Sequence, residues 1–83
     1  MKFRAEINIM PLKALLDPQG KAVSGSMAGI GHPEITNVRI GKHITLELEA
    51  AGEETARKMV DEACRKLLAN LIVENFEFTL SPV

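Results

Sequence analysis

The chain has 83 residues, ten basic and eleven acidic, with a formal charge of −1 and a single cysteine, Cys64. At that length residues 1–83 form one domain with a thin core, burying only about 60 to 65% of the surface the unfolded chain exposes. The balanced charge offers no footprint for nucleic acid or an anionic membrane, no apolar run reaches a bilayer span, and one thiol suits a reducing, cytoplasmic setting. With no internal disulfide available, oligomerisation is the expected extra source of stability.

From Lys2 to Met10 the residues alternate, Phe3, Ala5, Ile7 and Ile9 on one face and Lys2, Arg4, Glu6 and Asn8 on the other, which predicts a half-buried strand. Pro11 ends regular pairing, and Leu12 to Leu16 lead into a helix. Asp17 is a suitable N-cap and Pro18 suits the next position, where no amide partner is needed. Gly20 has no such local reason, since glycine in a first turn costs about 1 kcal/mol against alanine. Either the helix crosses a strand closely there, or the residue serves something other than the helix.

The first helix is predicted from Pro18 to about Ile30, with Val23, Met27 and Ile30 as a narrow apolar stripe beside Ala22 and Ser26, suited to close packing on a sheet. Gly29, Gly31 and Pro33 stop it, and His32 in the connection has no metal-ligating neighbour at the right spacing.

Ile35 to Ala50 reads as two strands, one presenting Val38 and Ile40 and the next Ile44, Leu46 and Leu48. A three-residue loop, Gly41 to His43, or else a bulge, keeps the faces in agreement, the loop by pairing Ile40 with Ile44. It sends Arg39 away from the core and puts Lys42 at an exposed tip.

The second helix begins near Glu53 and Glu54, buries Ala56, Met59, Val60, Ala63 and Leu67, and ends near Asn70. Four acid-to-base pairs at i, i+4 (Glu53–Arg57, Glu54–Lys58, Asp61–Arg65 and Glu62–Lys66) mark a solvated outer face. Cys64, beside the stripe, reads as packing. The last strand runs from about Ile72 to Leu80 with Phe76, Phe78 and Leu80 inward, and Ser81-Pro82-Val83 ends it.

The order is βαββαβ, which right-handed crossovers turn into an α+β ferredoxin-like two-layer sandwich, an antiparallel sheet of strand order 4-1-3-2 with both helices on one face. The other face carries Lys2, Arg4 and Glu6 beside Glu47 and Glu49. Its open edges invite a second copy. No P-loop, CxxC, paired histidines or serine–histidine arrangement is present, so no catalytic residue and no metal ligand is assigned.

Together Leu16-Asp17-Pro18-Gln19-Gly20, Val38-Arg39-Ile40-Gly41-Lys42 and Lys66-Leu67-Leu68-Ala69-Asn70, in this order and spacing, resemble the PurS family. These are the small subunits of phosphoribosylformylglycinamidine (FGAM) synthase. The chain departs from the family pattern at Leu71, at His43 and in Gly31-His32-Pro33-Glu34.

The resemblance implies a non-catalytic subunit of an ATP-dependent, glutamine-using carbon–nitrogen ligase of purine biosynthesis. It would act as a homodimer or dimer of dimers, docking the glutaminase PurQ on the synthetase PurL so that ammonia passes between them. ATP, magnesium and glutamine would be used by the complex, with no cofactor on this chain. Asp17, Gln19, Gly20, Arg39, Gly41 and Lys42 are the expected partner contacts, although the cap explains Asp17, the turn explains Gly41, and solubility explains Arg39 and Lys42 equally well. The alternative reading is an ACT-like regulatory dimer that binds a small molecule. Such a module needs a glycine-bearing loop after the first strand, and Gly20 falls inside a helix start instead.

Overall fold

The computed structural model describes residues 1–13 and 17–83. The expected approach to the first helix falls partly on residues 14–16 and so lies outside the described residues. Strand β1, Lys2–Pro11, follows its alternation, and Phe3, Ala5, Ile7 and Ile9 are at most 3% exposed. It is central because both of its edges are paired, by β2 (Lys42–Glu49) on one side and β3 (Glu74–Pro82) on the other. Both pairings are antiparallel and the order is β2-β1-β3. Inward side chains of the flanking strands, Ile44, Leu46, Leu48, Phe76, Phe78 and Leu80, pack against that central row.

The expected second strand and its three-residue hairpin do not form, so among the described residues the sheet has three strands rather than the order 4-1-3-2. The backbone explains this. Asn37 takes a left-handed φ of 57°, which interrupts extended structure. The amides that a ladder would need are already used: Val38 N–H donates to Ser24 Oγ at 2.8 Å and Ile40 N–H to Asp17 Oδ2 at 2.9 Å. The intended third strand, now β2, is therefore an edge.

Helix α1, Pro18–Ser26, is capped by Asp17, whose Oδ1 accepts from Gly20 N–H at 3.1 Å. A 3-10 turn, Ala28–Ile30, continues it to the expected end, and Gly31 closes it with φ 92°. His32 N–H then reaches back to the carbonyl of Met27 at 2.9 Å. Contrary to the two-layer expectation, α1 does not lie on the sheet. Its contacts run instead to the segment around Val38, through Gly20 and Ser24, and Val23 and Ile30 stay 36% and 69% exposed.

Helix α2, Glu53–Ala63, covers β1 and β3 and ends in a π turn, Cys64–Leu68, closed by Ala69 N–H to the carbonyl of Cys64. The wider turn sets buried Ala69 five residues after Cys64, so the buried line is Ala56, Val60, Cys64 and Ala69, with Leu68 partly buried against it. Met59 and Leu67, expected inside, are 45% and 82% exposed. Three of the four expected i, i+4 pairs form, at 3.2 Å for Glu53–Arg57, 2.8 Å for Asp61–Arg65 and 2.9 Å for Glu62–Lys66. Asn70 is not the cap. Its Oδ1 accepts from Ile72 N–H at 3.2 Å while its own N–H donates to Glu74 Oε1, and this turn delays β3 to Glu74.

On the uncovered face the register sets Lys2 opposite Glu49 and Arg4 opposite Glu47, as the alternation implies. Arg4 and Lys2 both reach Glu47, at 3.0 and 3.3 Å. Their hydrogen bonds hold its carboxyl below the usual glutamate range.

Candidate functional site

The six residues expected at a partner contact converge where β1 ends, α1 begins and the chain enters β2. Asp17 is the centre. One carboxylate oxygen caps α1, and the other accepts from Ile40 N–H and lies 3.4 Å from Arg39 Nε. The amides of Ile40 and Gly20, and then the Arg39 guanidinium, hold this carboxyl below the usual aspartate range.

Arg39 does not face away from the protein. The same guanidinium donates to the carbonyls of Pro11 and Leu12, at 3.1 and 3.0 Å, so it ties the end of β1 to the start of α1. Such a fork suits arginine, whose rigid planar donors span several acceptors.

Both glycines stand where backbone passes backbone. A Cβ on Gly20 would collide with the Val38 carbonyl and the Asp17 carboxylate, and one on Gly41 with the Ile9 carbonyl and Met10 Sδ. Gly20 is thus a close crossing, made with the irregular segment at Val38 rather than with a strand, and Gly41 packs on β1 rather than turning a hairpin. Lys42 opens β2 opposite Ile9 and pairs with Glu74 at 3.7 Å.

An open cleft of about 570 Å³ runs past this cluster, lined by Pro11, Pro18, Gln19, Ile40, Gly41 and Val73 among others, with Asp17, Lys42 and Glu74. Four of the expected residues, Asp17, Gln19, Gly41 and Lys42, border it, while Gly20 and Arg39 support it from behind. Pro11, Val73 and Glu74 carry no sequence signal for the site. They arrive because Leu12 N–H donates to the Val73 carbonyl, fastening the end of β1 beside the start of β3.

Among the described residues no group of three histidine, cysteine or acidic side chains could hold a metal ion. Cys64 is buried under α2, and burial pushes its thiol above the usual range, away from the reactive thiolate.

A family model described as PurS, phosphoribosylformylglycinamidine (FGAM) synthase, matches residues 4–82. The chain belongs to the PurS family. Among named relatives, the PurS subunit of FGAM synthase from Synechocystis is 38% identical over 79 residues, covering 95% of this chain and 79% of that one. The PurS subunit from Mycobacterium leprae is 36% identical, with 92% of each chain covered. Among solved structures, a chain of PurLQS from Thermotoga maritima superposes with a TM-score of 0.89 at 30% identity, over 98% of this chain and 99% of that one. Bacillus subtilis PurS gives 0.85 at 30% identity, over 95% and 98%. The three-stranded antiparallel sheet with two helices is therefore the PurS fold.

Proposed function

We propose that this chain is the small, non-catalytic subunit of FGAM synthase. In that role it works as a homodimer or dimer of dimers in the cytoplasm and docks the glutaminase PurQ on the synthetase PurL, so that ammonia released from glutamine reaches the ligation site. ATP, magnesium and glutamine belong to the chemistry of the complex. The observation that carries this reading is the match to the PurS family model over residues 4–82, supported by the superposition on a chain of the Thermotoga maritima PurLQS structure.

The partner contact is assigned to the cleft bordered by Asp17, Gln19, Gly41 and Lys42, where an apolar floor lies beside charged groups. Within it Gln19 and Lys42 are exposed and make the contact, while Gly20 and Arg39 hold its shape. The test is FGAM synthesis by the two larger subunits with and without this chain, driven by glutamine or by ammonia. Restoration of the glutamine-driven reaction alone supports the docking role, and no effect on either reaction refutes it. With Lys42→Glu, the glutamine-driven rate falls while the ammonia-driven rate stays unchanged.

A further inference from the structure

β3 is an edge strand whose outer side is only partly closed. Leu12 N–H donates to the Val73 carbonyl and Val83 N–H to the Lys2 carbonyl, and the pairing of β3 with β1 runs unbroken between them. Antiparallel geometry then turns the backbone groups of Asn75, Glu77, Thr79 and Ser81 toward β1, and those of Phe76, Phe78 and Leu80 away from it. At one end of the outer side Glu74 N–H is taken by the Asn70 carbonyl at 2.7 Å, and at the other Pro82 has no amide. The amides and carbonyls of Phe76, Phe78 and Leu80 are left facing outward, enough to hold a short added strand.

Beside this edge runs a groove of about 540 Å³, where Arg57, Asp61 and Arg65 of α2 stand over Asn75, Phe76 and Phe78 of β3. Its floor is aromatic. The Phe76 and Phe78 rings stack with centroids 6.4 Å apart, and the Arg65 guanidinium lies 5.4 Å from the centre of the Phe76 ring. Arg57 and Arg65 are each bound to an acid of their own helix, so the groove offers apolar surface more than free charge. On the other face of the same strand Glu77 is exposed and, among the described residues, forms no ion pair.

The geometry points to strand addition: an extended segment of a larger synthase subunit lies along β3 beneath α2 and exchanges hydrogen bonds with Phe76, Phe78 and Leu80. Alternate side chains of that segment enter the groove over the phenylalanines, and those between them emerge on the polar face, where a lysine or arginine meets Glu77. The partner is therefore a stretch in which aliphatic and basic residues alternate. A second β3 does not fit that description, because Glu74–Pro82 carries two acids and no base. The inference rests on the docking reading above and adds a second contact to it. Glu74 borders both the groove and the cleft, so one partner surface can span the two.

The test is amide hydrogen exchange of the isotopically labelled full chain, alone and with purified PurL or PurQ, with sedimentation to show whether a complex forms. Alone, Glu77 and Thr79 should be protected while Phe76, Phe78 and Leu80 exchange freely; in the complex these three should slow at least tenfold. A complex in which they exchange as freely as before overturns the proposal and leaves the docking reading standing, whereas the absence of any complex removes both. Protection of the three amides in the chain alone, rising with its concentration, gives the edge to a second copy and also overturns the proposal. Glu77→Lys should weaken the complex at least tenfold, and Glu54→Lys, the same charge change at an exposed position of α2, should not. Equal affinities for the two variants would exclude the basic segment.

Discussion

Gly20 and Gly41 are small because a carbonyl of another segment stands where a side chain would begin, and neither owes its identity to an unusual φ. For Gly20 two effects oppose each other. Alanine would favour the helix by about 1 kcal/mol, but its methyl group would displace the Val38 backbone and the Asp17 carboxylate, and overpacking of this kind costs about 1–3 kcal/mol. The collision involves backbone, which yields little, so Gly20→Ala should lower the urea midpoint. An unchanged or raised midpoint would show that the crossing is loose.

Asp17 gives a second residue-level prediction, in pH. Its carboxyl is held low by the amides of Ile40 and Gly20 and by Arg39. A carboxylate whose pKa is depressed on folding stabilises the protein above its unfolded value of about 3.9, and that stability is lost as pH falls through the lower folded value. Asp17→Asn removes this titration. The stability difference between the two chains should be constant above about pH 4 and shrink below it. Glu47 titrates in both chains and cancels in the comparison. A difference that stayed constant down to pH 2 would mean the carboxylate contributes nothing as an anion.

Among the elements, the π turn decides which leucine of Leu67-Leu68 is inside. A regular helix would carry the stripe from Ala63 to Leu67, whereas the extra residue in the turn carries it from Cys64 to Ala69, with Leu68 partly buried beside it. Leu68→Ala should therefore cost about 2 kcal/mol, and Leu67→Ser should stay within about 0.5 kcal/mol. Equilibrium unfolding measures both, and the reverse order would restore the regular helix.

Period-two alternation made β1, β2 and the inward face of β3 legible in advance, because each strand has one dry face. The cap at Asp17 was legible for a similar reason, since local chemistry alone specifies it. The missing strand was not. Val38 and Ile40 alternate as a strand would, but their amides go to Ser24 and Asp17, and no local pattern reveals a competing acceptor 14 or 23 residues away. The direction of Arg39 goes with it, since only that strand's parity points the side chain outward.

At the scale of the molecule, an amphipathic stripe tells that a face will be covered without telling by which chain. Val23, Met27 and Ile30 announced a packed helix, and in the single chain they have nothing to pack on. Association between copies couples folding to assembly, so the thermal midpoint should depend on protein concentration. Unfolding enthalpy near 0.7 kcal/mol per residue, summed over two chains, corresponds to a rise of about 4 °C for each tenfold increase in concentration. Scanning calorimetry across two decades measures it directly. A midpoint independent of concentration would mean that the sheet and α2 alone hold the fold, and that the projecting helix adds no stability through a partner. If the α1 stripe is what associates, Val23→Glu/Met27→Glu should flatten the concentration dependence toward zero, because the sheet, β1 to β3 under α2, is then left to its own thin core.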